Sequence, residues 1–202
     1  MKVEPLKPIC LSLFDWSGNW SRPYAENGYR VLLVDIKWGI DIMFWNYEAI
    51  PKDQVKVILA APPCTDFCIA GARFWKQKDE DGVTEKSCDL VAQTLEIIDY
   101  FQPPIWALEN PVGRLPTFFS RLGKPWYFHP WEFGDAYTKK TCLWGQFNIP
   151  KKNPVKPIMY TNSAGKRGSF HWACLGGKSE KTKEIRSLTP AGFSKAFFEA
   201  NH

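Results

Sequence analysis

Val55-Lys56-Val57-Ile58-Leu59-Ala60-Ala61-Pro62-Pro63-Cys64 is the stretch that decides the fold. A short aliphatic run halted by two prolines predicts a buried strand over residues 55–60, because proline lacks the N–H that a ladder needs. The double proline also stiffens the chain and presents Cys64 just beyond the strand. The same pattern recurs on either side. Ile9–Phe14 is apolar and stops at Asp15-Trp16-Ser17-Gly18. Tyr29–Val34 stops at Asp35, and Ile105–Leu108 stops at Glu109-Asn110-Pro111.

Helical patterns separate these runs. Ser21–Asn27 reads as a helix closed by Gly28, a residue suited to a left-handed cap. A longer helix is expected to be capped by Ser87, with Asp89 in its first turn and Pro103 ending it. Leu90, Val91, Leu95, Ile98 and Phe101 form its apolar stripe. Strands alternating with helices imply an α/β fold, a mainly parallel sheet with helices on both faces. In such sheets ligands sit outside the C-terminal strand ends. Four strands here end at residues able to do chemistry: Asp15, Asp35, Pro62-Pro63-Cys64 and Glu109-Asn110.

The rest of the chain is less regular. Trp126–Trp131 reads as extended and Thr141–Phe147 as a further short strand. Residues 148–186 read as loop or a small irregular insertion, and Pro190–Asn201 as a closing helix. At 202 residues, the chain has room for one domain and a sizeable core. The longest apolar runs are a handful of residues, far short of the roughly 20 of a membrane span. Met1–Pro8 lacks a signal-peptide pattern, so a cytoplasmic protein is expected. Six cysteines occur without a CxxC pair, so neither disulfides nor a metal site is expected, although Cys64/Cys68 and His171/Cys174 are loosely spaced like ligands.

Charge is distributed unevenly. Residues 150–186 hold nine Lys or Arg and two Glu, a net of +7 within a chain whose total is +5. A local basic stretch is the footprint expected of a polyanion site.

The strand ends suggest a nucleoside ligand and a nucleophile. Gly18 in a strand–turn–helix and an acid 17 positions later, Asp35, match the spacing at which a carboxylate holds a ribose. One glycine makes a poor phosphate loop, so a nucleoside without pyrophosphate fits better, and S-adenosylmethionine is such a ligand. Cys64 is a candidate nucleophile and Glu109 a candidate proton donor or acceptor.

Taken in order, Phe14–Gly18, Asp35, Pro62-Pro63-Cys64, Glu109-Asn110 and Arg186-Ser187-Leu188-Thr189-Pro190 resemble the cytosine C5-specific DNA methyltransferases, particularly small phage and prophage members. The resemblance implies a Rossmann-like class I S-adenosylmethionine-dependent methyltransferase fold. It implies that Cys64 attacks C6 of cytosine, that Glu109 protonates the ring near N3, and that C5 then takes the methyl group. It implies cofactor contacts at Phe14, Asp15, Gly18, Asp35, Ile36, Asp41 and Pro62. On the DNA side it implies Asn110, a charge at Lys139 or Lys140, and Arg73 on a lid formed by residues 65–86 over a flipped base. Lys166, Arg167 and Arg186 would meet phosphate.

The chain departs from the family pattern in three places. Trp16 stands where a glycine is common, which would crowd the methionine end of the cofactor. Glu-Asn is followed by Pro111. No Gln-x-Arg motif follows, and Lys139-Lys140 is the nearest basic pair. The division expected is a catalytic core at 1–145, a short basic insertion at 146–185 in place of a recognition lobe, and a returning C-terminal helix at 186–202. So small an insertion implies weak sequence selectivity, a very short site, or a protein partner that supplies selectivity. Two other readings stay open: the same chemistry on RNA, and a catalytically silent relative that binds nucleic acid or a partner.

Overall fold

The computed structural model describes residues 6–165, 167–169, 175 and 179–202. In chain order the elements are β1 (Ile9–Leu13), α1 (Arg22–Glu26), β2 (Arg30–Val34), β3 (Val55–Ala60), α2 (Trp75–Glu80), α3 (Val83–Phe101), β4 (Ile105–Pro111), α4 (Leu115–Phe118), β5 (Trp126–Phe128), β6 (Thr141–Gln146), β7 (Met159–Thr161), β8 (Arg167–Ser169), α5 (Glu180–Ser187) and α6 (Ala191–Ala200). Six strands form one sheet in the order β2-β1-β3-β4-β6-β5. The first four are mutually parallel, while β6 runs antiparallel to both β4 and β5. The fold is the mostly parallel, Rossmann-like arrangement expected.

The sheet order creates the ligand crevice. The chain leaves β1 for β2 on one side, then returns to place β3 on the other. Such a reversal opens a gap above the strand ends at β1 and β3. The register levels those ends: Leu13 pairs with Val34 and Ala60, and Ala60 pairs with Leu108. Asp35, Asp15, Pro62–Cys64 and Glu109–Asn110 therefore follow one edge of four neighbouring strands.

Alternating side chains feed two cores, one on each face of the sheet. Ile9, Leu11, Ile58 and Ala60 join Val91, Leu95, Ile98 and Phe101 of α3. Cys10, Val57, Leu59 and Ala107 join Trp20, Tyr24, Phe193 and Phe197 from the α1 and α6 side. Phe128 and Phe193 stack at 3.9 Å between ring centroids. Fully burying one such ring stabilises by roughly 1.5–3 kcal/mol. At Gly192 a Cβ would come within 1.9 Å of the Phe133 carbonyl oxygen, so only glycine lets α6 approach this closely. The Tyr24 hydroxyl donates to Asn201 O at 2.7 Å, pinning the end of α6. Among the described residues no helix is long and apolar enough to cross a membrane.

Several sequence expectations are corrected here. Helix α3 begins at Val83, after a left-handed Gly82 (φ +69°), and not at Ser87. Ser87 sits inside the helix, and its hydroxyl donates to Asp66 instead of capping. Strand β4 extends through Glu109 and Asn110 to Pro111, because β6 pairs with that whole length. The Trp126–Trp131 segment is extended only to Phe128 before a 3-10 turn at Pro130–Phe133. Residues 148–186 are not simply loop: they contain the β7–β8 hairpin and helix α5. Ser179 caps α5, its oxygen accepting from Thr182 N–H.

Candidate active site

The first turn is built around a carboxylate. Asp15 accepts hydrogen bonds from the hydroxyls of Ser12 (2.9 Å), Ser17 (2.9 Å) and Ser21 (3.3 Å). Its charge thus braces the turn between β1 and α1. Phe14 adopts φ +60°, rare for a side chain this large, and Gly18 adopts φ +65°. The Phe14 N–H donates to Val34 O at 2.8 Å, tying the turn to β2. The Trp16 indole contacts Lys37, whose ammonium lies 4.3 Å from the ring centroid, and donates to Ser187 of α5 at 3.4 Å. Trp16 is thus held between the end of β2 and α5.

The second strand end carries Asp35. Its Oδ1 accepts the Lys37 N–H at 2.8 Å. Beside it Ile36 is 69% exposed, an apolar surface placed next to a carboxylate. Asp41 stands after a short turn, its Oδ1 accepting the Met43 N–H at 3.0 Å.

The third and fourth strand ends hold the candidate reactive groups, Cys64 and Glu109. The Asn110 amide donates to Pro62 O at 3.0 Å, locking the Pro-Pro-Cys segment to β4. Cys64 O accepts from both Phe67 and Cys68 N–H, making a tight turn behind the thiol. Burial pushes the Cys64 thiol up to about 11; the Glu109 charge adds to this and Lys139 opposes it. Burial also raises Glu109 above its ordinary value, and Lys139 again opposes. Glu109 Oε1 and Asn110 Oδ1 are buried without a hydrogen-bond partner. Two orphaned acceptors beside a thiol are expensive to leave unpaired, and they suit a polar ring that would satisfy them.

Lys139 and Lys140 separate cleanly. Lys139 sits in the electrostatic field of both Cys64 and Glu109, and its ammonium donates to Arg186 O at 3.2 Å. Lys140 lies over the Tyr127 ring at 4.6 Å, on edge strand β5. Of the pair, Lys139 is the one placed by the reactive groups.

Residues 65–86 are folded onto the core. Asp66 is buried, and although burial raises its pKa, hydrogen bonds from Lys78 and Ser87 hold it below the usual carboxylate range. Arg114 grips Asp79 with two 2.8 Å hydrogen bonds and also bonds Thr84 Oγ1 and Asp66 O. Gly113 permits this packing, since a Cβ there would meet Phe67 O at 1.8 Å. Arg73 is exposed and lies over Phe74 at 4.6 Å.

Of the remaining expected contacts, Arg167 is exposed on β8 and Arg186 is exposed on α5. Lys166, His171 and Cys174 lie outside the described residues. Sequence reasoning missed Tyr137, whose hydroxyl is raised by burial and by the charges of Asp135 and Glu109. It missed Arg114 as the anchor of the segment after Cys64. It also missed α5, which touches Trp16 and Lys37 at one end of the site and Lys139 at the other. The Ser179 cap was the available signal for α5; nothing local marks Tyr137.

Comparison with known proteins gives the following similarities. The family model for C-5 cytosine-specific DNA methylase matches residues 22–118. A protein of Frog virus 3 (isolate Goorha), named Probable DNA (cytosine-5)-methyltransferase, is 28% identical over 204 residues, covering 89% of this chain and 94% of that protein. Among solved structures, an E. coli prophage protein described as a DNA modification methyltransferase superposes with a TM-score of 0.53 at 15% identity, over 75% of this chain. Entamoeba histolytica methyltransferase EhMeth gives 0.47 at 15% identity, over 77% of this chain. The chain spans only 53% and 59% of those two structures, respectively. The family match spans the strand ends that carry Asp35, Cys64 and Glu109, and over that region the chain is similar to the C-5 cytosine-specific DNA methylases.

Proposed function

We propose that this chain transfers a methyl group from S-adenosylmethionine to C5 of cytosine in DNA. The observation that carries the reading is the Cys64–Glu109–Lys139 cluster on adjacent strand ends, with unpaired buried acceptors beside it. Cys64 Sγ forms a bond to C6 of the ring. Glu109, whose pKa burial raises, donates a proton to N3 as attack proceeds and so offsets the negative charge that attack places on the ring. C5 becomes nucleophilic and would take the methyl group with S-adenosylhomocysteine as the leaving group; water then accepts the C5 proton as the Sγ–C6 bond breaks, and N3 returns its proton to Glu109. Lys139 favours the thiolate during attack. Asn110 fixes the Pro-Pro-Cys segment so that Sγ does not wander.

The donor side fits the same reading. Asp35 commits one carboxylate oxygen to Lys37 and leaves the other for a ribose hydroxyl, and Ile36 offers an exposed face for a flat adenine. Phe14, Gly18, Asp41 and Pro62 would line the remainder. When bound, S-adenosylmethionine supplies an electrophilic methyl group. Asp15 belongs here as a brace, since its oxygens already serve three hydroxyls. The proposal keeps residues 1–145 as the catalytic core, with 146–185 inserted before the C-terminal helix.

The test is labelled S-adenosylmethionine with duplex DNA containing 5-fluorocytosine, whose C5 cannot lose a proton. A covalent adduct that carries label and disappears in Cys64→Ser is expected. Donor binding without any adduct on DNA or RNA would overturn the reading in favour of a silent relative. An adduct on RNA alone would reassign the substrate.

A further inference from the structure

We infer that Arg114 is a positioning residue for Cys64: with Asn110 it brackets the thiol from the strand that carries Glu109. The inference rests on the methylation reading for what the thiol does, and on hydrogen bonds alone for how it is held. Strand β4 ends at Pro111. Before Cys64, the Asn110 amide donates to Pro62 O at 3.0 Å. After it, Arg114 Nε donates to Asp66 O at 3.0 Å and Arg114 N–H donates to Phe67 O at 2.9 Å. Ile69 N–H donates to Val112 O at 3.0 Å, and Cys68 bridges to Gly113. The carbonyls two residues before and two residues after the thiol are thus both taken by one short segment, 110–114. Glu109 directly precedes that segment, so the same bonds set the offset between thiol and carboxyl.

Arg114 is itself fixed. Its side chain is 11% exposed. The guanidinium lies 4.7 Å from the Trp75 ring and 5.3 Å from the Phe118 ring. Nη1 and Nη2 fork onto Asp79 at 2.8 Å each, and Nη2 also reaches Thr84 Oγ1 at 2.9 Å. The fork faces α2 and the start of α3 and leaves Nε for the turn after Cys64. A planar guanidinium serves these three partners at once; an ammonium on a flexible stem does not. Asp66 completes the turn from its other side, its buried carboxylate accepting from Lys78 and from Ser87 of α3.

The chemistry needs such a bracket. A thiol that reaches C6 of a ring while a carboxyl reaches N3 must be held closely, since a displacement of about 1 Å can cost about 10²-fold in rate. Two prolines stiffen the chain before Cys64, but no proline follows until Pro103. Arg114 supplies on the later side what Pro62 and Pro63 supply on the earlier one.

The test first reads Cys64 without DNA or donor. Alkylation of Cys64 against pH, followed on its own peptide, should have its midpoint near 11 because the thiol is buried; Glu109, Lys139 and Cys68 are the groups whose charge bears on it. Arg114 acts by keeping the turn closed. Arg114→Met removes every side-chain donor, and Arg114→Lys keeps the charge but loses the planar fork; the second serves should the first not fold, which thermal unfolding checks. In either, water reaches the thiol, so the midpoint should fall by at least about one pH unit, tenfold in thiolate at a fixed pH. Asp79→Asn weakens the fork and spares the Nε bond to Asp66 O, so it should speed amide exchange in α2 and leave the midpoint in place. In methyl transfer, Arg114→Lys should lower kcat by about 10²-fold. Its KM for S-adenosylmethionine should hold, since Asp35 and Ile36 follow β2, at the opposite end of the β2-β1-β3-β4 row. Equal midpoints in wild type and Arg114→Lys, or a shift as large in Asp79→Asn as in Arg114→Lys, would overturn the positioning role. A fallen midpoint in Arg114→Lys of a chain that never methylates would sink the activity and leave the bracket standing.

Discussion

The strand-end edge and the later elements β7 and α5 are built on opposite principles. At the edge, Asp15 and Cys64 follow the largely buried strands β1 and β3, which are laddered on both sides, Glu109 lies in β4 between β3 and β6, and Asp35 follows the edge strand β2. Their positions are over-determined: Asn110 holds Pro62, three hydroxyls hold Asp15, and Arg114 holds the segment after Cys64. The later segment has β7 wholly exposed and α5 with no buried residue. Helix α5 is eight residues long, below the length at which a helix persists alone. It is held by Lys37–Glu184, Trp16–Ser187 and Lys139–Arg186 O, all exposed polar contacts. The contrast teaches that buried strand ends fix the side chains they carry, whereas exposed elements keep polar contacts that water can replace.

That contrast can be broken most sharply at Cys64. Cys64→Ser is expected to abolish methyl transfer while moving the thermal midpoint little, since the swap is nearly isosteric. Loss of the fold would show a structural thiol instead. Glu109→Gln should lower kcat by about 10²–10⁴-fold, the usual scale of a positioned proton donor. Core truncation tests the other half of the edge's rigidity. Phe193→Ala should cost about 3–5 kcal/mol of stability in denaturant unfolding, because its ring stacks on Phe128 and contacts Phe197.

The electrostatics of the edge give opposed shifts. Alkylation of Cys64 against pH, followed on its own peptide by mass spectrometry, should have its midpoint near 11. Glu109→Gln removes a charge that raises the thiol, so the midpoint falls. Lys139→Met removes one that lowers it, so the midpoint rises. Identical profiles in both variants would disconnect the three groups. The smallest effect belongs to α5. Lys37→Glu or Glu184→Lys should change global stability by under about 1 kcal/mol, as exposed pairs do, yet speed amide exchange in α5. The double swap should restore protection.

Much of the edge was legible along the chain because strand starts and stops are local. Aliphatic runs halted at Asp15, Asp35, Pro62 and Glu109 need no distant partner to be recognised. The helix stripe at Leu90–Phe101 was equally legible, but its start was not. Ser87 looks like a cap, and only the fold supplies Asp66 as its competing partner. Lys139 and Lys140 were equivalent in sequence. Neighbouring residues of an extended chain point to opposite sides, so β6 had to be paired before one could be placed by Cys64 and the other by Tyr127.

By itself, then, the sequence determined the strand ends, their order and the chemistry they carry, since those depend on residue type and near neighbours. Tertiary structure alone decided which strand ends are adjacent, which lysine lies in the field of the thiol, that Tyr137 and Arg114 stand near them, that Met159–Thr161 pairs with Arg167–Ser169 and that Glu180–Ser187 is a helix. The reason is physical: the crossover from β1 to β3, the antiparallel return of β6 and the docking of α5 on Trp16 bring together residues far apart in sequence, and no local pattern encodes a contact between them.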